Sequence, residues 1–160
     1  MGVVTQEYEA RIGAGVLEED AAQRGVLPEF DRIGAELGAL RPGGLKGLFG
    51  KKPKPIPGLY IWGGVGRGKS MLMDLFHSAL AIQQKRRVHF HAFMQDVHQM
   101  IRASRENDPG DPIPKVARGI AENVLCLCFD EMVINNSADA MIMSRLFSAL
   151  IVDEGVTVVT

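Results

Sequence analysis

The sequence predicts an α/β protein in which a parallel sheet is covered by helices on both faces. Three observations carry that expectation. From Gly58 onward, short apolar runs alternate with stretches at helical period. One run, 124–129, is apolar at every position, as a strand buried on both faces must be. A glycine-rich turn from Gly63 to Ser70 joins an apolar run to an amphipathic one.

Composition fits that class. The chain has 160 residues, 46% hydrophobic and 23% charged, with a net charge of −1. This excludes a disordered or collagen-like chain, and it lacks the basic footprint of a general nucleic-acid binder. No apolar run approaches the roughly 20 residues of a membrane-spanning helix. The N-terminus carries no signal-peptide apolar region. Glu7 and Glu9 argue against a transit peptide, and Gln6 breaks the myristoylation pattern after Gly2. Cys126 and Cys128 match neither a disulfide framework nor a CxxC metal spacing, so a reduced, cytoplasmic setting is expected.

The elements follow in order. Residues 1–44 read as a helical N-terminal segment. Thr5 is placed to cap a helix reaching about Ile12, and Asp20 to cap one starting at Ala21. Pro28 predicts a break and a restart, after which Phe30, Ile33, Leu37 and Leu40 recur at helical spacing until 41–44 end the element. Residues 45–57 read as a basic linker, with Lys46, Lys51, Lys52 and Lys54 among glycines and prolines. The domain proper is 58–160. Strands are expected at 59–62, 88–91, 124–129 and 156–160, and helices at 69–81, 93–104, 115–123 and 138–150. A Pro/Asp loop spans 107–114. Lys85, Arg86 and Arg87 read as a solvated helix end.

Two motifs carry chemistry. Gly63, Gly64, Val65, Gly66, Arg67, Gly68, Lys69 and Ser70 match the phosphate-binding pattern GxxxxGK[ST] in full. Glycines let backbone N–H groups approach phosphate oxygens, and the following helix aims its positive end at them. Lys69 brings a point charge to the β/γ-phosphates, and the Ser70 hydroxyl is a Mg²⁺ ligand. The second motif is the apolar strand ending in Asp130 and Glu131. Carboxylates at the carboxyl end of a parallel strand lie where open α/β sheets bind ligands. Asp130 is expected in the Mg²⁺ shell and Glu131 as the base that activates water. Glu131 points to ATP hydrolysis rather than GTP hydrolysis, and no NKxD guanine motif is present. Cys126 and Cys128 share one strand face as small buried hydrophobes. His89 and His91 are expected on one strand face with His98 on the next helix, which leaves a three-histidine metal site conceivable. Among the arginines, Arg67 and Arg145 are the best placed to matter beyond structure.

The segment from Gly58 to Phe76 resembles the P-loop region of ZapE-type cell-division AAA+ ATPases and their mitochondrial lactation-elevated relatives. Arg87 to Met94 with Val97-His98, and Leu127 to Glu131 followed by Ala138 to Met141 and Arg145 to Phe147, match further stretches of that family. The resemblance implies an AAA+/ASCE-type P-loop ATPase with ATP and Mg²⁺ as cofactors and a homo-oligomeric assembly. It also implies a division-ring protein or another protein client, and peripheral association with the membrane. It carries phosphate and Mg²⁺ binding onto residues 63–70, with Lys69 also catalytic, and metal and water onto Asp130 and Glu131. Asp20 and Gln23 fall where such proteins approach the adenine. Asn136 stands where the family has Asp, and Pro28 interrupts a helix the family keeps continuous. The sequence stops in the strand that the family follows with a sensor Asn, an arginine finger, a fifth strand and a lid, so a domain incomplete at its C-terminus is expected, with 59–62 at the sheet edge. Two other readings stay open: a nucleotide- or partner-binding module without turnover, and a DNA-associated ATPase using the Lys46 to Lys54 loop.

Overall fold

The computed structural model describes residues 1–40, 54–64 and 66–160. Expectations for 41–53, including the end of the second helix, Lys46, Lys51, Lys52 and most of the linker, lie outside the described residues, as does Val65.

Strand β2 (Cys126–Asp130) is the centre of the sheet. It pairs in parallel with β1 (Lys85–His89) on one side and with β3 (Thr157–Val159) on the other. Its first four residues are buried, and alternation sends them to opposite layers. Leu127 and Phe129 enter a core built with α4 (Phe90–Asn107), α5 (Pro112–Ala121) and α6 (Ser137–Ser148). Cys126 and Cys128 enter a second core built with α1 (Val3–Gly13), α2 (Ala21–Ala39) and α3 (Lys69–Ala79). The sheet is therefore covered on both faces, as predicted. Phe129 meets Phe93 edge-on at 4.8 Å and Phe90 at 5.9 Å. Full burial of one such ring contributes about 1.5–3 kcal/mol.

The segment expected as the first strand, 59–62, lies beyond β3 and falls short of a regular strand. It makes one parallel bridge, Leu59 to Val159. Leu59 N–H donates to Val158 O (3.1 Å), Ile61 N–H to Thr160 O (2.6 Å), and Thr160 N–H to Leu59 O (2.9 Å). Gly58 allows the approach, since a Cβ there would stand 1.8 Å from Val158 O. With β3 between this segment and β2, their axes are two strand spacings apart, about 10 Å.

Several boundaries differ from expectation. Thr5 does not cap α1. The cap position is Gly2, and the acceptor is the Asp31 carboxylate of α2, which takes N–H bonds from Gly2 (3.0 Å), Val4 (2.9 Å) and Thr5 (3.3 Å). Asp20 caps α2 as expected, accepting from Ala22 and Gln23 N–H. The break at Pro28 is absent: α2 is continuous, with Pro28 on its exposed side. An interior proline costs about 3 kcal/mol. Burial of Leu27, Phe30, Ile33 and Leu37 on either side of it offsets that cost.

Helix α5 begins at Pro112 rather than 115, because Asp111 caps it and Pro112 takes the first helical position. Strand β1 starts at Lys85, three residues before the expected strand, so the basic run is a strand and not a helix end. Its three cations all have partners. Lys85 Nζ donates to the carbonyls of His77 and Leu80 at the end of α3, Arg86 pairs with Asp96, and Arg87 pairs with carboxylates described below. Helix α6 continues into a π-helical turn, Ala149–Asp153.

Candidate functional site

Helix α3 has no side-chain cap at its N-terminus. Its cap residue is Gly68, at φ 77 in the left-handed region, and a Cβ there would stand 2.6 Å from Gln23 Nε2. The first-turn N–H groups of α3 thus open toward the glycine loop, which is what an anion needs. Lys69, the first residue of α3, folds over that loop. Its Nζ donates to Gly63 O and Gly64 O, both at 2.8 Å. An ammonium has three donors, so one remains for a phosphate oxygen. Ser70 follows in the same turn and is exposed.

Across the cleft, β2 ends in Asp130 and the chain turns at Glu131. Glu131 adopts φ 52, the one left-handed non-glycine among the described residues. Such a conformation costs of order 1–3 kcal/mol and collects at functional sites. Gly63, Gly66, Arg67, Gly68, Lys69, Ser70, Asp130 and Glu131 all line one cleft of about 860 Å³, with Tyr60 and Trp62 at its rim. That volume suits a nucleotide-sized ligand. The predicted loop residues, apart from Gly64 and the undescribed Val65, and the strand-end carboxylates therefore line one cleft, and Gly64 meets the site through its carbonyl, which accepts from Lys69 Nζ.

Asp20 and Gln23 reach the loop from outside the cleft lining. Gln23 Nε2 donates to Arg67 O (3.2 Å), Tyr8 hydroxyl donates to Gln23 Oε1 (3.1 Å), and Arg67 pairs with Asp20 at 3.6 Å. They brace the backbone of the loop against α1 and α2. Arg145 is committed elsewhere, to Asp111 at the start of α5.

The histidines do not share one strand face. His89 ends β1, while His91 lies in α4 and contacts Gln95. His98 pairs with Asp139 at 2.8 Å, and this bond, followed by that from Asn136, holds the Asp139 carboxyl below the usual range. Among the described residues, no group of three or more metal-ligating side chains forms. Cys126 and Cys128 are fully buried with sulfurs 3.9 Å apart, and the Cys128 contact and burial push the Cys126 thiol far up. They act as core, as expected.

Sequence reasoning missed Arg87. Its guanidinium grips Asp130 with two bonds, Nε to Oδ2 at 2.8 Å and Nη2 to Oδ1 at 2.9 Å, and also bonds Asp74 of α3. The signal was available in the register. With the basic run on a strand, Arg87 lies opposite Cys128, two residues before Asp130.

The model of the AFG1-like ATPase family matches residues 2–160. Cell division protein ZapE of Escherichia coli K12 is 36% identical over 97% of this chain and 44% of its own length. Lactation elevated protein 1 homolog B of Danio rerio is 46% identical over 62% of this chain and 22% of its own. The chain thus spans less than half the length of these relatives. No solved structure matches it. Among the described residues, no helix is long and apolar enough to cross a membrane. A parallel sheet with helices on both faces, a complete phosphate loop at a helix N-terminus and a family match over residues 2–160 lead to one conclusion: the chain belongs to the AFG1-like ATPase family of P-loop AAA+ proteins.

Proposed function

We propose that this chain binds Mg²⁺-ATP in the cleft between Gly63–Ser70 and Asp130-Glu131, and that the protein built on it hydrolyses ATP to ADP and phosphate. The observation that supports this most is the shared lining: Lys69 and Ser70 in the first turn of α3 and two strand-end carboxylates border the same cleft. The loop N–H groups and Lys69 hold the β/γ-phosphates. Ser70 and Asp130 hold the metal, which when bound neutralises phosphate charge and aligns the γ-phosphoryl group. Glu131 orients a water and accepts its proton as the water oxygen bonds to the γ-phosphorus. The bond from that phosphorus to the bridging oxygen breaks, and ADP keeps the electron pair.

A cytoplasmic setting fits this chemistry, since ATP and Mg²⁺ are supplied there. The likeness to a cell division protein supports a role in division. In the same reading the chain acts on a division-ring or other protein client, as a homo-oligomer associated peripherally with the membrane. The test of the core reading is Lys69→Ala. Losing one charge-assisted hydrogen bond costs about 1.5–3 kcal/mol, so affinity for a fluorescent ATP analogue should fall about 10- to 150-fold. Unchanged affinity rejects the site.

A further inference from the structure

We propose that Arg87 is a positioning residue for the metal site: its guanidinium, braced by Asp74, holds the Asp130 carboxylate in register with Ser70 so that the two can share a divalent cation. The proposal rests on the nucleotide reading above and adds a residue to it.

Three elements converge on this one side chain. Arg87 leaves β1, grips both oxygens of Asp130 at the end of β2, and bonds Asp74 on α3. Its Nη2 also lies 3.5 Å from the carbonyl of Ser70. Asp74 is one helical turn beyond Ser70, so the brace is tied to the helix that presents the hydroxyl. The contact is shielded, with the Arg87 and Asp130 side chains 23% and 12% exposed.

A planar fork on a carboxylate fixes its orientation as well as its charge, which an ammonium does not do. The fork uses two of the roughly four lone-pair sites of Asp130 and leaves the others for a cation or its water. Asp74 and Asp130 share the one guanidinium, which offsets part of their combined negative charge. Arg87 touches neither the loop glycines nor the Lys69 ammonium, so its effect should fall on the metal and not on the phosphates.

The test uses the 160-residue chain and mant-ATP, first in excess EDTA and then with Mg²⁺ titrated at fixed nucleotide. In the wild type, Mg²⁺ should tighten binding. Arg87→Ala should keep the EDTA affinity while the Mg²⁺ concentration at half-effect rises about tenfold or more. Arg87→Lys should shift it nearly as far, because the charge returns without the fork. Asp74→Asn, at a 59% exposed side chain where folding is not at stake, should give a smaller rise in the same direction. The proposal is overturned if Arg87→Ala or Asp74→Asn titrates with Mg²⁺ as the wild type does, if Arg87→Lys restores the wild-type curve, or if the EDTA affinity falls in step with the Mg²⁺ response. A wild-type chain that binds mant-ATP in EDTA but ignores Mg²⁺ also overturns it. A wild-type chain that binds no mant-ATP under either condition fails before any variant is compared, and removes the nucleotide reading itself.

Discussion

Glu131 holds a backbone conformation that its side chain disfavours, at the point where β2 leaves the sheet. The strain and the proposed role as base make separable predictions. Glu131→Gln keeps shape and leaves Asp130 in place, so nucleotide binding should persist while phosphate release by the family-length protein falls about 10²–10⁴-fold. Equal loss of both would make the residue structural. Glu131→Gly removes the left-handed penalty of about 1–2 kcal/mol against a glycine entropy cost of about 0.5–1 kcal/mol. Its urea midpoint should rise slightly, and a clear fall would show that φ 52 is held without strain. His77, in the last turn of α3 with its carbonyl accepting from Lys85 Nζ, gives a pH signature. Burial first, then the Lys85 charge, lowers its pKa from the ordinary value. The unfolded chain therefore takes up a proton near pH ~6.5 that the folded chain resists, and stability should decline as pH falls through that region. Denaturant midpoints across that range should lose this slope in His77→Gln, and an unchanged slope would assign it to another group.

At the scale of the element, the helix α2 makes a sharp prediction. Pro28 sits on its exposed side and removes one interior hydrogen bond. Pro28→Ala should raise stability by about 1–3 kcal/mol, after part of the gain is returned through the freer unfolded chain. A lower thermal midpoint would mean that the ring makes a contact α2 needs. The same helix shows what the sequence made legible. Its apolar positions and the Asp20 cap are local signals, and both were readable. That Pro28 would be tolerated was not, because the burial that outweighs it comes from α1 and α3. The cap of α1 was hidden for the same reason: Asp31 lies 29 residues from Gly2 in sequence. The candidate site divides likewise. The glycine loop and the strand-end carboxylates are contiguous motifs with their own chemistry. Arg87 gains its place only from the register of β1 against β2, and a run of three cations reads as solvent-facing until that register is known.

At the scale of the whole molecule, the sheet formed by the described residues ends on the segment carrying the glycine loop, and such an edge invites association. The order across the sheet is β1, β2, β3 and then 59–62. Among the described residues, no backbone bond reaches Tyr60 or Trp62, whose exposures are 66% and 83%. An unpaired edge flanked by large exposed rings is a template for another chain. The chain should therefore self-associate as its concentration rises, with sedimentation velocity as the direct measurement. Trp62 is the single tryptophan, so its emission should shift to the blue over the same range as the ring leaves water. Trp62→Lys places a charge on the edge and deletes no core contact, since the ring is exposed; it should keep the fold and abolish the concentration dependence. The edge is continuous with Gly63, so Mg²⁺-ATP should move the association equilibrium as well, and by linkage association should change nucleotide affinity by the same factor. If Trp62→Lys sediments as the wild type does, the contact lies on another face, and the cleft rim is free to act on nucleotide alone.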